Sequence, residues 1–313
     1  MTVLERIEDW RESGAITPAQ YSAIAAIVRK DRFSLFSELN VLLYLGVASC
    51  IAGLGWTIST YFENLGDGAI LVSLTLLCGA TFYYAFTRAL PFSPQRVESP
   101  SLVMNYVLYL GALAFAVELG YIEFRFELLR ESWDHYLVLS AVFYFFLAYR
   151  FDNRFVLSLA LSTLAGWFGL SFYRFGLLKL DNYRPPALAY AAVVALTGVA
   201  LSRKGLKPHF LRTYLHIAAN VVLVALVSGV MAAHAELYLT VLLVLSGIAV
   251  YAGFRYGELA FAAYGTIYGY IGASIWLLRG VSETRTVLVY LIISGALVIA
   301  FIAWLAARSG RRQ

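Results

Sequence analysis

"LYLGALAFAVELGY", residues 108–121, reads as lipid-soluble except for one carboxylate, Glu118. Nearly the same frame, "LYLGVASCIAGLGW", stands earlier at residues 43–56. The apolar runs around both frames reach about 17–23 residues, close to the ~20 that an α-helix needs to cross ~30 Å of hydrocarbon. They are too long for barrel strands and lack strict alternation. Ten such runs are predicted as spans: 39–61, 68–87, 102–122, 133–149, 155–175, 186–202, 211–233, 237–253, 259–278 and 287–307. The expected fold class is all-α, a polytopic transmembrane helix bundle.

Composition agrees. The chain is 61% hydrophobic and 14% charged, against roughly 45–50% and about 25% in an ordinary soluble domain. With the N-terminus placed in the cytoplasm, the inner segments carry 17 of the 24 lysines and arginines and the outer ones seven. That bias predicts both termini on the cytoplasmic side of the membrane. A basic face beside anionic lipid accounts for the net charge of +5 without any nucleic acid. No short basic n-region precedes the first apolar run, so no cleavable leader is expected. Cys50 and Cys78 read as small packing residues, and the four histidines lack metal-site spacing. There is no G-x-S-x-G, H-E-x-x-H or P-loop motif. The expectation is no catalytic residue, no cofactor, no metal and no enzyme activity.

Residues 1–37 differ in kind from residues 38–313, the expected membrane domain. "TVLERIEDWRESG" puts Val3, Leu4, Ile7 and Trp10 at helical spacing, and Gly14 suits the position after a helix end. "TPAQ" is a capping box: Thr17 caps, Pro18 takes the first helical position, and Gln20 reaches back. The second helix presents Tyr21, Ile24, Ala25 and Val28 on one side. A cytoplasmic helical hairpin with an interfacial segment follows. It is either a cap on the bundle or a module for a protein partner. "EDWRESGAITPAQYSAI" resembles the W-x-x-x-G-x-I-x-x-x-Q signature of the bacterial membrane proteins grouped as domain of unknown function 2157, with Trp10, Gly14, Ile16 and Gln20 in place. The resemblance covers about the first 60 residues. It implies a multi-pass membrane protein and carries over no catalytic residue.

An offset of 65 residues superposes the two opening frames, as a parallel repeat of a helical hairpin would. Gly46, Ser49, Cys50 and Gly53 share one face; the aligned set is Gly111, Ala114, Phe115 and Glu118. A second small stripe, Ala112, Ala116 and Gly120, lies on another side. A carboxylate avoids lipid, so Glu118 is expected to point into the bundle. It lies ~24 Å along its span, a depth matched by Arg174. The two form a candidate outer polar pair, read as a structural ion pair, a cavity-facing site or snorkelling. Asn105, His216 and Asn220 form a candidate inner cluster, at ~5–8 Å depth for the first two. It is read as a hydrogen-bonded clasp ahead of a proton relay. Ala262, Gly265, Gly269, Gly272 and Ala273 form a packing stripe around a GxxxG pair, within the chain or between subunits. Function is read as an accessory, scaffold or sensory membrane subunit, with a transporter or channel for a lipid, apolar or small solute as the alternative.

Overall fold

A computed structural model describes residues 3–18, 20, 21, 25, 35–128, 135–174, 183–232 and 234–310; side chains at 3–5, 35–41, 58–65, 170–174 and 306–310 fall outside that description. Residues 1–57 and 58–312 form two compact units, each taken by itself. Among the described residues every regular element is helical.

In the first unit, α1 (Val3–Glu12) ends as the sequence predicts. Gly14 takes φ +73°, and the amides of Ala15 and Ile16 return to the Trp10 carbonyl at 2.9 and 3.3 Å. The capping box is formed: the Thr17 amide donates to Gln20 Oε1 at 2.8 Å, and the Gln20 amide donates to Thr17 Oγ1 at 3.2 Å. Ile7 and Ala25 are buried, whereas Trp10 is about half exposed (48%). Trp10 therefore contributes its carbonyl to the turn and little of its ring to a core. Ile24 and Val28 lie outside the described residues. The long helix α2 (Leu35–Leu65) follows.

The second unit is a series of antiparallel helix pairs. These are α3 (Asp67–Arg88) with α4 (Leu102–Phe126), α5 (His135–Phe151) with α6 (Arg154–Arg174), α7 (Arg184–Arg203) with α8 (Leu211–Val230), and α9 (Ala235–Tyr256) with α10 (Leu259–Leu277). α11 (Thr284–Gly310) closes the order against α10. α4 thus pairs with α3 rather than with α5, so the hairpins are out of phase with the predicted repeat unit.

Each of the ten predicted spans falls on a helix. Among the described residues six stretches are long and apolar enough to cross a membrane: Asp67–Arg88, Leu102–Phe126, Arg184–Arg203, Pro208–Val230, Ala235–Tyr256 and Thr284–Leu305. Leu42–Thr57, His135–Phe151 and Arg154–Gly169 are shorter apolar stretches. α4 outruns its predicted end because its last turn has a partner. Arg125 Nε donates to both oxygens of Asp67, at 2.8 and 2.7 Å, and Tyr121 OH donates to the same carboxylate at 2.9 Å.

The α9–α10 pair packs backbone against backbone. Ala262, Gly265, Gly269 and Gly272 are all buried against α9; Ala273, at the edge, is half-buried. A Cβ on Gly265 would stand 2.4 Å from the Ser246 carbonyl oxygen, and one on Gly253 would stand 2.6 Å from the Ala262 nitrogen. The stripe therefore serves packing inside the chain, where small residues let backbones approach. Gly257, at φ +72°, reverses the chain between the two helices.

Tyrosine hydroxyls tie neighbouring helices together. Tyr144 on α5 donates to the Ala112 carbonyl of α4 at 2.8 Å, and Tyr190 on α7 donates to the Leu161 carbonyl of α6 at 2.6 Å. Tyr149 meets Tyr214 at 3.0 Å, and Tyr270 meets Ser294 on α11 at 2.9 Å. A buried hydroxyl without a partner would be costly, so each bond fixes the mutual height of two helices.

Gly265→Ala puts a methyl group against backbone that cannot swing aside, and overpacking of this kind costs about 1–3 kcal/mol. The purified protein should melt at a lower temperature in mild detergent. Gly247→Ala, whose new Cβ has nothing within 4 Å, should leave melting unchanged or slightly raised; equal losses for both would contradict the packing described.

Candidate functional site

Among the described residues, the strongest concentration of buried charge lies where the turns between helices meet. Asp152 ends the α5–α6 reversal, and its side chain is 2% exposed. Lys207, in the α7–α8 connection, is 1% exposed, and its Nζ donates to Asp152 Oδ2 at 2.9 Å and to the Gln95 carbonyl at 3.1 Å. His209 Nε2 sits on the other oxygen, Oδ1. The Val97 amide donates to Oδ2 at 2.5 Å, and the Lys207 amide to the Pro94 carbonyl at 2.7 Å. Nζ also lies 5.3 Å from the centre of the Phe92 ring. Three connections, 89–101, 152–153 and 204–210, are thereby held by one carboxylate.

Local geometry delivers these groups. Asp152 and Lys207 both adopt the left-handed backbone region, φ +55° and +47°. Asn153 then caps α6: its Oδ1 accepts from the amides of Phe155 and Val156 at 3.0 and 3.1 Å. Its Nδ2 donates to Asn105 Oδ1 at 3.3 Å and to Tyr109 OH at 3.2 Å. Beside this end, Arg212 Nη2 pairs with Glu258 Oε2 at the α9–α10 turn.

The predicted inner cluster is therefore divided. Asn105 does not meet His216 or Asn220; it turns to Asn153, because α4 begins beside the α5–α6 reversal. His216 and Asn220 face α10 instead. The His216 ring stacks on Phe261 at 4.6 Å, and Tyr268 OH donates to Asn220 Oδ1 at 3.0 Å. Asn220 Nδ2 returns to the His216 carbonyl at 2.8 Å, and Arg212 Nε donates to His216 Nε2 at 3.3 Å. Both groups are hydrogen-bonded ties between helices, one on α4 and the other on α8.

Glu118 is half-buried and turned towards α3, where Thr75 Oγ1 donates to its Oε1 at 2.5 Å. The side chain of Arg174 lies outside the described residues. Gly111, on the same face, is in tight contact with α3: a Cβ there would stand 2.5 Å from Thr81 Oγ1. The other small stripe behaves differently. Ala112 is buried, but Ala116 and Gly120 line a cavity of about 190 Å³ shared with Tyr136, Ser140, Tyr144 and Thr163 of α5 and α6. Small residues here leave space rather than bring helices together. Among the described residues no three histidine, cysteine or carboxylate side chains converge as a metal site.

The clasp of Asp152, Lys207 and His209 was not legible in sequence. "FDNRF" signals a turn and a helix cap, but Lys207 stands 55 residues away and nothing in its own neighbourhood marks it for burial.

The family described as predicted membrane protein, domain of unknown function 2157, has a model that matches residues 8–157. The resemblance carried by Trp10, Gly14, Ile16 and Gln20 is borne out and reaches well beyond the head, through α4 and α5 to the clasp residues Val97 and Asp152. No curated protein and no solved structure matches the chain.

Asp152→Asn preserves the left-handed turn and the bond from the Val97 amide but leaves Lys207 buried without its counter-charge. Breaking one side of a buried pair costs about 3–5 kcal/mol. Adding Lys207→Met should recover part of the loss. Melting of the single and double variants in detergent measures the coupling; strictly additive losses would show that the two charges act independently.

Proposed function

We propose that this chain, whose residues 8–157 match a family of predicted membrane proteins, is a ten-span protein of the bacterial cytoplasmic membrane with both termini inside. In this reading it works without catalysis, as an accessory, scaffold or sensory subunit, and offers its N-terminal head to a protein partner. The observation that carries the reading is the use of polar groups within the helices. Glu118 is bonded to Thr75, Asn105 to Asn153, Asn220 to Tyr268, and Tyr144 and Tyr190 to backbone carbonyls. Coupled transport draws on ionisable groups placed near the bilayer centre; among the described residues the buried ion pair, Asp152 and Lys207, belongs to the clasp at the helix ends. A second reading, carriage of a small apolar solute or lipid, has one observation in its favour: the cavity of about 190 Å³ beside Ala116 and Gly120.

Reporter fusions at Gln313 and within residues 62–67 should report opposite sides of the membrane. Agreement between the two reporters would sink the ten-span topology. Native mass measurement of the protein extracted in mild detergent separates the two roles. A stoichiometric protein partner supports the subunit reading. A retained solute or lipid without a protein partner, lost on Ala116→Phe, supports carriage.

A further inference from the structure

The cavity of about 190 Å³ between α4, α5 and α6 has a charged end and an apolar body. Glu123, in the last turn of α4, and Tyr136, in the first turn of α5, stand at one end. Ala116 lies seven residues deeper on α4 and Tyr144 eight deeper on α5, about 10–12 Å along the axes. Leu119, Gly120 and Leu137 line the interval. The Tyr144 hydroxyl is already spent on the Ala112 carbonyl, so the deep wall presents mainly carbon.

Packing does not account for this space. An unfilled cavity costs stability, yet a Cβ at Gly120 would meet nothing within 4 Å, so a larger residue has room there. Helix stability does not account for Glu123 either. A carboxylate in the last turn opposes the helix dipole, and Arg125 in the same turn is held by Asp67. Glu123 is half-buried and is the one charged side chain among the described residues that line the cavity. Size limits the occupant. An apolar cavity of about 150 Å³ takes a benzene-sized molecule, so this one takes a single ring with a short tail. A mostly apolar wall with one placed charge is the make-up of a small-molecule site, where the charge sets the orientation.

We propose that this cavity binds a small apolar amine, with its carbon body beside Ala116 and Gly120 and its ammonium on Glu123. A carboxylate favours an ammonium through charge-assisted hydrogen bonds and repels an anionic head. It has about four acceptor positions, so a bond to a neighbouring side chain leaves others for the ligand. The Tyr136 ring beside it adds attraction for a cation. The end of a span is also where such a charge is tolerated. The site rests on the cavity that the carriage reading uses and gives that reading a ligand class; a sensory subunit would detect the same ligand there.

The test uses the full-length protein in phosphatidylcholine nanodiscs, with empty nanodiscs as the blank. Three probes share a ring and differ in the head: phenethylamine, phenethyl alcohol and phenylacetate. Phenethylamine should bind saturably and raise the melting temperature, the alcohol should bind about tenfold more weakly, and phenylacetate should not bind. Glu123→Gln should lose about tenfold for the amine and nothing for the alcohol. Gly120→Leu fills the cavity and should abolish binding of both while melting holds or rises. If that variant does not fold, Ala116→Leu fills the same space. Phenylacetate binding as well as the amine would overturn the ligand class, and unchanged amine binding in the filled variants would overturn the site. Uptake into proteoliposomes tests carriage separately: amine binding without uptake above empty liposomes keeps the site and removes carriage, whereas uptake that Gly120→Leu leaves intact keeps carriage and removes the site.

Discussion

A carboxylate removed from water must be fully answered by charge or hydrogen bonds, and Asp152 is answered from three directions. Its two oxygens hold Lys207, His209 and the Val97 amide. Taking a carboxylate and an ammonium out of water costs several kcal/mol for each ion. That cost is tolerable only while all the partners stay in place. The surrounding backbone follows from this requirement. Two residues other than glycine accept left-handed conformations, the 89–101 connection lies against the α7–α8 turn, and α6 starts where Asn153 can cap it. Moving any one of these segments would strand a buried charge.

The rest of the second unit is held by weaker contacts used repeatedly. Within a hairpin, a small residue meets a side chain or backbone on the facing helix: Gly111 meets Thr81, Gly198 meets Tyr214, and Gly265 meets Ser246. Between hairpins, tyrosine hydroxyls reach the carbonyls of neighbouring helices. In hydrocarbon, apolar burial gives little drive for helices to associate, so close packing and interhelical hydrogen bonds must supply it. The seam between α4 and α5 is the exception. There Ala116 and Gly120 border open volume, and Tyr144 bridges the gap to Ala112.

Much of this was legible in the chain because it is written in local spacing. Run length placed the helices, the four-residue step of Gly265 and Gly269 marked a packed face, and "TPAQ" spelled out a cap. What was missed depends on partners far apart in sequence. Asn105 was matched by depth to His216, yet its partner is Asn153, 48 residues on. Depth along a helix axis says nothing about which neighbour stands beside it. The Ala112, Ala116 and Gly120 stripe shows the same limit, since small residues permit contact without requiring it. Trp10 fell on the apolar face of α1 by periodicity, but its ring stays half in the open while its carbonyl closes the turn.

The separation between Asp152 and Lys207 also fixes an order of assembly. As the chain leaves the ribosome, α3 to α6 are complete before Lys207 exists. Through that interval Asp152 has neither Lys207 nor His209, and water at the membrane face must serve instead. The clasp closes when α7 has entered and the α7–α8 turn arrives, a further 55 residues into synthesis. Its closure therefore ties the α7–α8 turn to two hairpins that Asn153 and Tyr144 already join to each other.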